Sequence, residues 1–182
     1  ASFFGAELSS PSTVTNHEYN FYPQMLSMNK HEQYLESGHQ FLKDIKTLLE
    51  EFDVSSSIIG KRKEYVNKQG VVSYRLRLQI SSSTNNLLNL WKKIGFEYNK
   101  KRRHLANSAI YYLQLKNKVL KNRILADKKA KQLQNDGVSP SKIFRLIEST
   151  YVNKRFLERS LYSPRKTPPR VAFNFPKFKE FV

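Results

Sequence analysis

The chain has 182 residues, of which 39% are hydrophobic and 13% aromatic, so it can fold around a core. It has no cysteine and no run of about eighteen apolar residues, which excludes disulfides, thiol catalysis, cysteine zinc sites and a membrane span. No signal peptide is visible, which predicts a protein of a prokaryotic cytoplasm or an organelle that is not secreted. The net charge of +17 is uneven, because residues 1–56 hold three Lys or Arg against eight Asp or Glu. The strongly basic remainder predicts a polyphosphate partner, by default a nucleic acid.

The first part of the chain predicts two strands followed by a helix. Residues 12–30 are rich in Thr, Tyr, Phe and Val, and Pro23 limits the second strand to an edge or a bulge. A helical repeat follows and should end near Asp53. Its apolar positions recur at spacings of three and four: Phe41, Leu42, Ile45, Leu48, Leu49 and Phe52.

The clearest hairpin of the chain joins "SSIIGKRKEYV" through "NKQG" to "VVSYRLRLQIS". The second arm alternates, which puts its apolar side chains on one face and its polar side chains on the other. The apolar set is Tyr74, Leu76, Leu78 and Ile80, and the polar set is Ser73, Arg75, Arg77 and Gln79. An ordinary solvated face is one reading of the polar set. Arginine and glutamine also make bidentate contacts with base edges, which favours contact with DNA.

Two more helices complete an α+β layout. "STNNLLNLWKKIG" has helix start signals and a terminal Gly95, and after the basic turn "FEYNKKRRH" a long helix begins at Leu105. We predict a four-stranded antiparallel sheet backed by helices on one face, in the order αββαββα.

After residue 122 the pattern indicates helices alone, in three stretches. Their predicted common core is Leu133, Val138, Ile143, Leu146, Ile147, Val152, Phe156 and Leu161. Gly137 suits the turn of a helix-turn-helix, and Ser139 suits an N-cap. The last helix, 153–161, carries Lys154, Arg155 and Arg159, which predicts DNA contacts, although a plain helical hairpin is the alternative. Residues 163–182 predict an extended basic and aromatic arm whose apolar side chains pack back on the domain.

The opening "ASFFGAELSS" resembles the motif that names the LAGLIDADG homing endonucleases. Ala1 takes the second position of the motif, Gly5 takes the place of its first Asp, and Glu7 takes the place of its final acid. Leu8 replaces the usual Gly. The motif begins one residue too late, so we expect this chain to be the second half of a longer protein, with pairing of two chains as the alternative.

Further stretches are similar to the same family in the same order. "FLKDIKTLLEEFDVSSSI" is similar to its helix after the first strands, "YRLRLQIS" to its fourth strand, and "WKKIGFEYNKKRRHL" to a widespread pattern with Lys101 four residues before Leu105. The predicted domains are therefore an endonuclease repeat at 1–120, a helix-turn-helix unit at 123–162 and the arm at 163–182.

The resemblance implies a site-specific, metal-dependent DNA endonuclease. Glu7 would be catalytic and bind Mg²⁺ or Mn²⁺, and Lys101 would stabilise charge at the scissile phosphate. The implied partners are double-stranded DNA and a second LAGLIDADG repeat. The residues expected to contact DNA are Lys61, Lys63, Arg75, Arg77, Gln79, Lys154, Arg155 and Arg159.

Two alternatives compete with this reading. One is a non-cleaving DNA- or RNA-binding regulator or intron maturase on the same scaffold. The other is a restriction-like nuclease with a D/E-x-K strand, but its candidate pairs, Asp44 with Lys46 and Asp127 with Lys129, fall on helical patterns.

Overall fold

The computed structural model describes residues 2–66, 68, 70, 72–163 and 169–182. It divides into two compact units, one ending at Tyr111 and the other spanning Tyr112–Phe181, while Val182 belongs with the first. Ala1, the first matched position of the predicted motif, lies outside the described residues, as do parts of the predicted "NKQG" turn and arm. No helix in the described ranges is long and apolar enough to span a membrane.

The first unit contains two small antiparallel sheets and the helices around them. Its strands are β1 Thr13–Val14, β2 His17–Phe21, β3 Met25–His31, β4 Ser56–Val66 and β5 Val72–Ile80. Its helices are α1 Ser2–Glu7, a 3₁₀ turn Glu32–Tyr34, α2 Leu35–Glu50, α3 Thr84–Asn89 with a π turn Leu90–Ile94, and the start of α4 Lys100–Asn135.

The predicted single four-stranded sheet is wrong, although the mixed α and β character with antiparallel pairing is present. Strands β1 and β2 form a hairpin of their own, and the second sheet has the order β3-β5-β4. Residues 12–30 thus hold three strands, where the sequence predicts two. Pro23, which has no N–H to donate to a ladder, lies between β2 and β3.

Helix α2 packs on the apolar face of the three-stranded sheet through a close approach at Gly38. A Cβ added there would lie 2.7 Å from Leu76 Cδ1, so only glycine fits without displacing the leucine. Leu42 and Leu49 of α2 are completely buried. The rest of its predicted apolar stripe is more open: Phe41, Leu48 and Phe52 are exposed and Ile45 is half-buried.

Helix α3 and the π turn that continues it follow β5 and end at Gly95, as the sequence predicts. Gly95 has φ 68°, a left-handed conformation that glycine adopts without steric cost, and its N–H bonds to the carbonyl of Leu90 at 2.9 Å. Within this helix Trp91 packs edge-on against Phe21 of β2, with ring centroids 5.1 Å apart. This contact joins the small hairpin to the core.

Helix α4 is one unbroken helix where the sequence suggests a change of domain. It runs through residues 120–123, and Ala109, Tyr112 and Leu113 of its predicted face are buried, with Leu105 half-buried. The division into domains at 1–120, 123–162 and 163–182 stays a prediction.

The second unit is helical, with the end of α4 followed by α5 Pro140–Ile147, α6 Lys154–Tyr162 and α7 Phe178–Phe181. Gly137 (φ 78°) forms the turn before α5, as predicted. The predicted core is present except for Leu146, which is 57% exposed, because α5 turns that side chain outward. The sequence analysis missed the buried Ala126, Ala130 and Leu157 and the partly buried Phe144; the two alanines allow close packing on α4.

The C-terminal segment packs on Tyr112, which is completely buried. The centroid of its ring lies 5.3 Å from that of Phe175 and 5.4 Å from those of Phe178 and Phe181. Its hydroxyl donates a hydrogen bond to the carbonyl of Pro176 at 3.0 Å. The predicted packing of the arm's apolar side chains is therefore seen at Phe175, Phe178 and Phe181, whereas Phe173 is 82% exposed.

Candidate nucleic-acid interface

The three-stranded sheet has one face turned away from α2, which we name the arginine face. In an antiparallel sheet, paired residues share a face, so the register identifies its members. Strand β5 supplies Ser73, Arg75, Arg77 and Gln79; β3 supplies Met25, Ser27, Asn29 and His31; β4 supplies Ser57, Ile59, Arg62 and Tyr65. Leu76, Leu78 and Ile80 lie on the opposite face and are fully buried, so the alternation predicted for β5 is confirmed.

The two arginines of β5 differ in their ion pairs. Arg75 Nη2 lies 2.9 Å from Glu64 Oε2, and Arg62 Nε lies 4.0 Å from Glu64 Oε1. Arg77 makes no ion pair with a carboxylate of the described ranges. The face therefore offers one guanidinium that a carboxylate holds and another that is available to an anion.

Lys61 and Lys63 do not join this face, although the sequence analysis grouped them with the arginines. Register shifts in β4 fall between Ile59 and Arg62 and again beyond Lys63. The first inserts an extra residue, which reverses the alternation, so Lys63 pairs with Tyr74 on the apolar side. Lys61 Nζ lies 5.0 Å from the centre of the Tyr74 ring.

Two side chains of β4 that the sequence analysis did not assign lie on the arginine face. Arg62 is paired with Arg75, and Tyr65, which is 54% exposed, is paired with Ser73. An exposed tyrosine beside arginines can stack on an unpaired base while the guanidiniums contact phosphates. Strict alternation from Ile59 places Tyr65 on this face but Arg62 on the other, so the first bulge is what brings Arg62 to the arginine face, and the second returns Tyr65 to it.

The end of α1 is held by Arg102, which the sequence analysis passed over in favour of its neighbour Lys101. Arg102 Nη1 donates to the carbonyls of Gly5 at 2.8 Å and Ala6 at 3.0 Å, which lie in the last turn of α1, where a helix has no following N–H of its own to offer. Lys101 and Glu7 are both exposed. Arg102 thus fixes the backbone next to Glu7 through these two hydrogen bonds. Lys101 is the preceding residue in the chain and makes neither of them.

Gly5 is required at this place by a close approach. A Cβ on Gly5 would lie 2.2 Å from the carbonyl oxygen of Glu97. Its role is therefore contact with the turn before α4. Of the two phenylalanines of α1, Phe4 is buried, while Phe3 is 38% exposed and packs edge-on against Phe41.

Helix α6 of the second unit presents the basic side chains that the sequence predicts for it. Lys154, Arg155 and Arg159 are all exposed. Asn153 caps the helix by accepting a hydrogen bond from the N–H of Phe156 at 3.0 Å, which fixes where the helix begins. Arg155 and Arg159 are one turn apart and therefore share a side of α6.

Metal binding at Glu7 stays a prediction. In the described ranges no three His, Cys, Asp or Glu side chains are grouped so that they could hold a metal ion. The pairs of the restriction-like reading lie on α2 and α4, as their helical patterns predict.

The chain is similar to segments of curated archaeal proteins with two different names. It is 33% identical to a tRNA-splicing ligase RtcB of Methanocaldococcus jannaschii over 185 aligned positions, which cover 100% of this chain and 18% of the ligase. It is 32% identical to the tRNA-splicing ligase RtcB of Pyrococcus furiosus, over 100% of this chain and 17% of that protein. A DNA-directed RNA polymerase subunit Rpo1N of M. jannaschii is 31% identical over 75% of this chain and 9% of the subunit.

No family model matches the chain, and no solved structure matches it. The chain spans less than a fifth of the ligases that it matches. The similarity therefore concerns a segment of those proteins.

These relatives overturn the family and activity predicted from the sequence. The ligases join tRNA according to their names, and none of the relatives described above is named as a LAGLIDADG endonuclease. The predictions of a site-specific DNA endonuclease, a metal-dependent hydrolase, and a partnership with double-stranded DNA and a second repeat are corrected on this finding. The regulator or maturase alternative is likewise unsupported. The short, degenerate N-terminal motif is the reason for the error, because many packed helices share its small and apolar residues.

Proposed function

We propose that this chain is an RNA-binding segment of a longer protein related to the archaeal tRNA-splicing ligases. The observation that carries the proposal is the arginine face, a sheet surface with Arg62, Arg75, Arg77 and an exposed Tyr65. Guanidiniums bind phosphates, and a tyrosine on a sheet provides a surface on which unpaired bases stack. The ligase names supply the class of ligand, since a tRNA-splicing ligase acts on RNA.

Charge supports the same proposal. The net charge of +17 attracts polyanions at long range, and most of the basic residues lie beyond residue 56. Exposed Arg155 and Arg159 of α6 add a basic surface in the second unit. RNA binding should therefore weaken steeply as salt rises, because each phosphate contact releases counterions.

The test is fluorescence anisotropy of the purified chain with labelled single-stranded RNA, a tRNA transcript and duplex DNA of matched length. We expect RNA to bind more tightly than duplex DNA at equal salt, and Arg77→Ala to weaken that binding. Lys43→Ala, an exposed change on α2, is the control for loss of one positive charge. Tighter binding to duplex DNA than to either RNA would overturn the proposal.

A second candidate function is favoured by the match to the polymerase subunit. The segment similar to this chain makes up 18% of a ligase and 9% of a polymerase subunit. Because these two proteins have different names and activities, the presence of the segment does not correlate with either activity. On this reading the segment is a portable module whose role is separate from that of the protein carrying it. Deleting the matching segment from the M. jannaschii ligase distinguishes the two. Undiminished tRNA ligation favours the separate module, and lost ligation with retained folding favours the RNA-binding segment.

A further inference from the structure

We infer that Glu64 is a positioning residue that sets the specificity of the arginine face by withholding Arg75 from phosphate. The inference rests on the proposed RNA binding and assigns a different kind of RNA contact to each of the two arginines of β5. Arg77 supplies a general phosphate contact, and Arg75 supplies an oriented contact to a base.

The contacts of Glu64 single it out. Its Oε2 lies 2.9 Å from Arg75 Nη2, and its side chain is only 20% exposed. Its Oε1 is buried without a hydrogen-bond partner among the described residues, with Arg62 Nε at 4.0 Å. A half-buried carboxylate on a basic surface is costly unless a cation holds it, so the pair with Arg75 is the stable arrangement.

This pair changes what Arg75 can do. A phosphate approaching Arg75 meets the negative charge of Glu64 and must compete with it for the guanidinium, so phosphate binding there is weakened. Arg75 keeps further N–H donors that Glu64 does not use, and their orientation is fixed by the pair. An oriented guanidinium suits the paired acceptors of a base edge, because the cost of ordering the side chain is already met.

Arg77 provides the internal contrast. It lies two residues along the same strand on the same face, and no carboxylate of the described ranges pairs with it. The same side-chain type therefore occurs on one strand with and without a carboxylate partner. Removing the carboxylate should make Arg75 behave as Arg77 does.

The decisive variant is Glu64→Gln, measured by anisotropy against labelled poly(U), poly(C) and poly(A) over a salt series. Freeing Arg75 should add one phosphate contact, which steepens the slope of log affinity against log salt by about 0.7 for single strands. Binding to all three homopolymers should tighten, and the spread of Kd among them should narrow. Glu36→Gln makes the same change in net charge on α2, away from the face, and should alter neither the slope nor the spread.

The double variant Glu64→Gln with Arg75→Ala should lose the added slope, which ties the effect to Arg75. If Glu64→Gln does not fold, Glu64→Met removes the charge without leaving an unpaired buried polar group and takes its place. If wild type binds RNA and Arg77→Ala weakens it, but Glu64→Gln behaves as Glu36→Gln does, the role of Glu64 is wrong and RNA binding stands. If wild type binds none of the RNAs, both proposals fail.

Discussion

The side chain of Asn86 and the backbone of Ser55 are joined by a reciprocal pair of hydrogen bonds. The N–H of Ser55 donates to Asn86 Oδ1 at 2.6 Å, and Asn86 Nδ2 donates to the carbonyl of Ser55 at 3.1 Å. Nδ2 also donates to the carbonyl of Ser81 at 2.8 Å. One buried amide of α3 thus ties together the start of β4 and the end of β5, which fixes the frame of the arginine face.

Replacing Asn86 should therefore lower the free energy of unfolding by more than the size of its side chain suggests. Asn86→Ala leaves backbone groups of Ser55 and Ser81 without their partner, and we expect the free energy of unfolding to fall by about 3 kcal/mol. Urea denaturation followed by circular dichroism measures it. Ser82→Ala, an exposed change nearby, should leave stability within about 0.5 kcal/mol of wild type. Equal stability of the two variants would contradict the structural role of Asn86.

Gly5→Ala tests the close contact between α1 and the turn before α4. The added Cβ would lie 2.2 Å from the Glu97 carbonyl oxygen, so α1 or the turn must move, and we expect a loss of about 1–3 kcal/mol. Gly60→Ala is the matched control, because a Cβ there meets no atom within 4 Å. Thermal unfolding of both proteins decides the matter. A Gly5→Ala variant as stable as the Gly60→Ala variant would show that α1 is not held at this contact.

Tyr65→Ala tests stacking on the arginine face separately from its charge. Loss of one stacked base should weaken single-stranded RNA binding by about 1–3 kcal/mol without changing the salt slope, because no phosphate contact is removed. Tyr111→Ala removes a tyrosine that is 67% exposed on α4 and serves as the control. A change in slope, or equal weakening by both variants, would count against stacking at Tyr65.

The burial of Lys116 predicts that the difference in stability between wild type and Lys116→Met depends on pH. It is only 7% exposed, and burial lowers the pKa of its ammonium group below the ordinary value of 10.5. The folded state therefore disfavours the charged form at neutral pH, and this cost disappears as pH rises through the lowered pKa toward 10.5. Wild type should gain stability relative to Lys116→Met over that alkaline range.

Urea midpoints of wild type and Lys116→Met at a series of pH values provide the measurement. The exposed Lys118→Met is the control for loss of a positive charge on the same helix. A stability gap between wild type and Lys116→Met that stays constant, or that moves against wild type as pH rises, would refute the effect of burial.

Local patterns in the sequence predicted the elements whose periodicity is unbroken. The alternation from Tyr74 to Ile80 is clean, so both faces of β5 were assigned correctly. The last helix is predicted at 153–161 and found at Lys154–Tyr162, because its apolar spacing is helical. These elements depend on interactions between residues close in the chain.

Errors arose where distant segments decide the outcome. Whether β2 joins β3 depends on Pro23 and on the pairing of separate strands, and the sequence shows neither partner nor register. The face on which Lys61, Arg62 and Lys63 lie depends on a bulge that exists only against β5. The first inserted residue reverses the faces of Arg62 and Lys63, and the second restores the alternation at Tyr65, so a pattern read along β4 alone assigns the residues between the two bulges to the wrong faces.

The sequence by itself determined a basic, cysteine-free chain of mixed α and β structure, with one polar face on β5 and a helical second part. The tertiary structure decided which cations share a surface, that Glu64 holds Arg75, and that Arg102 closes the end of α1. The physical reason is the separation along the chain between the residues that interact. Composition and periodicity follow from neighbouring residues, whereas ion pairs, register and close approaches join residues that are distant in the chain and meet only when it folds.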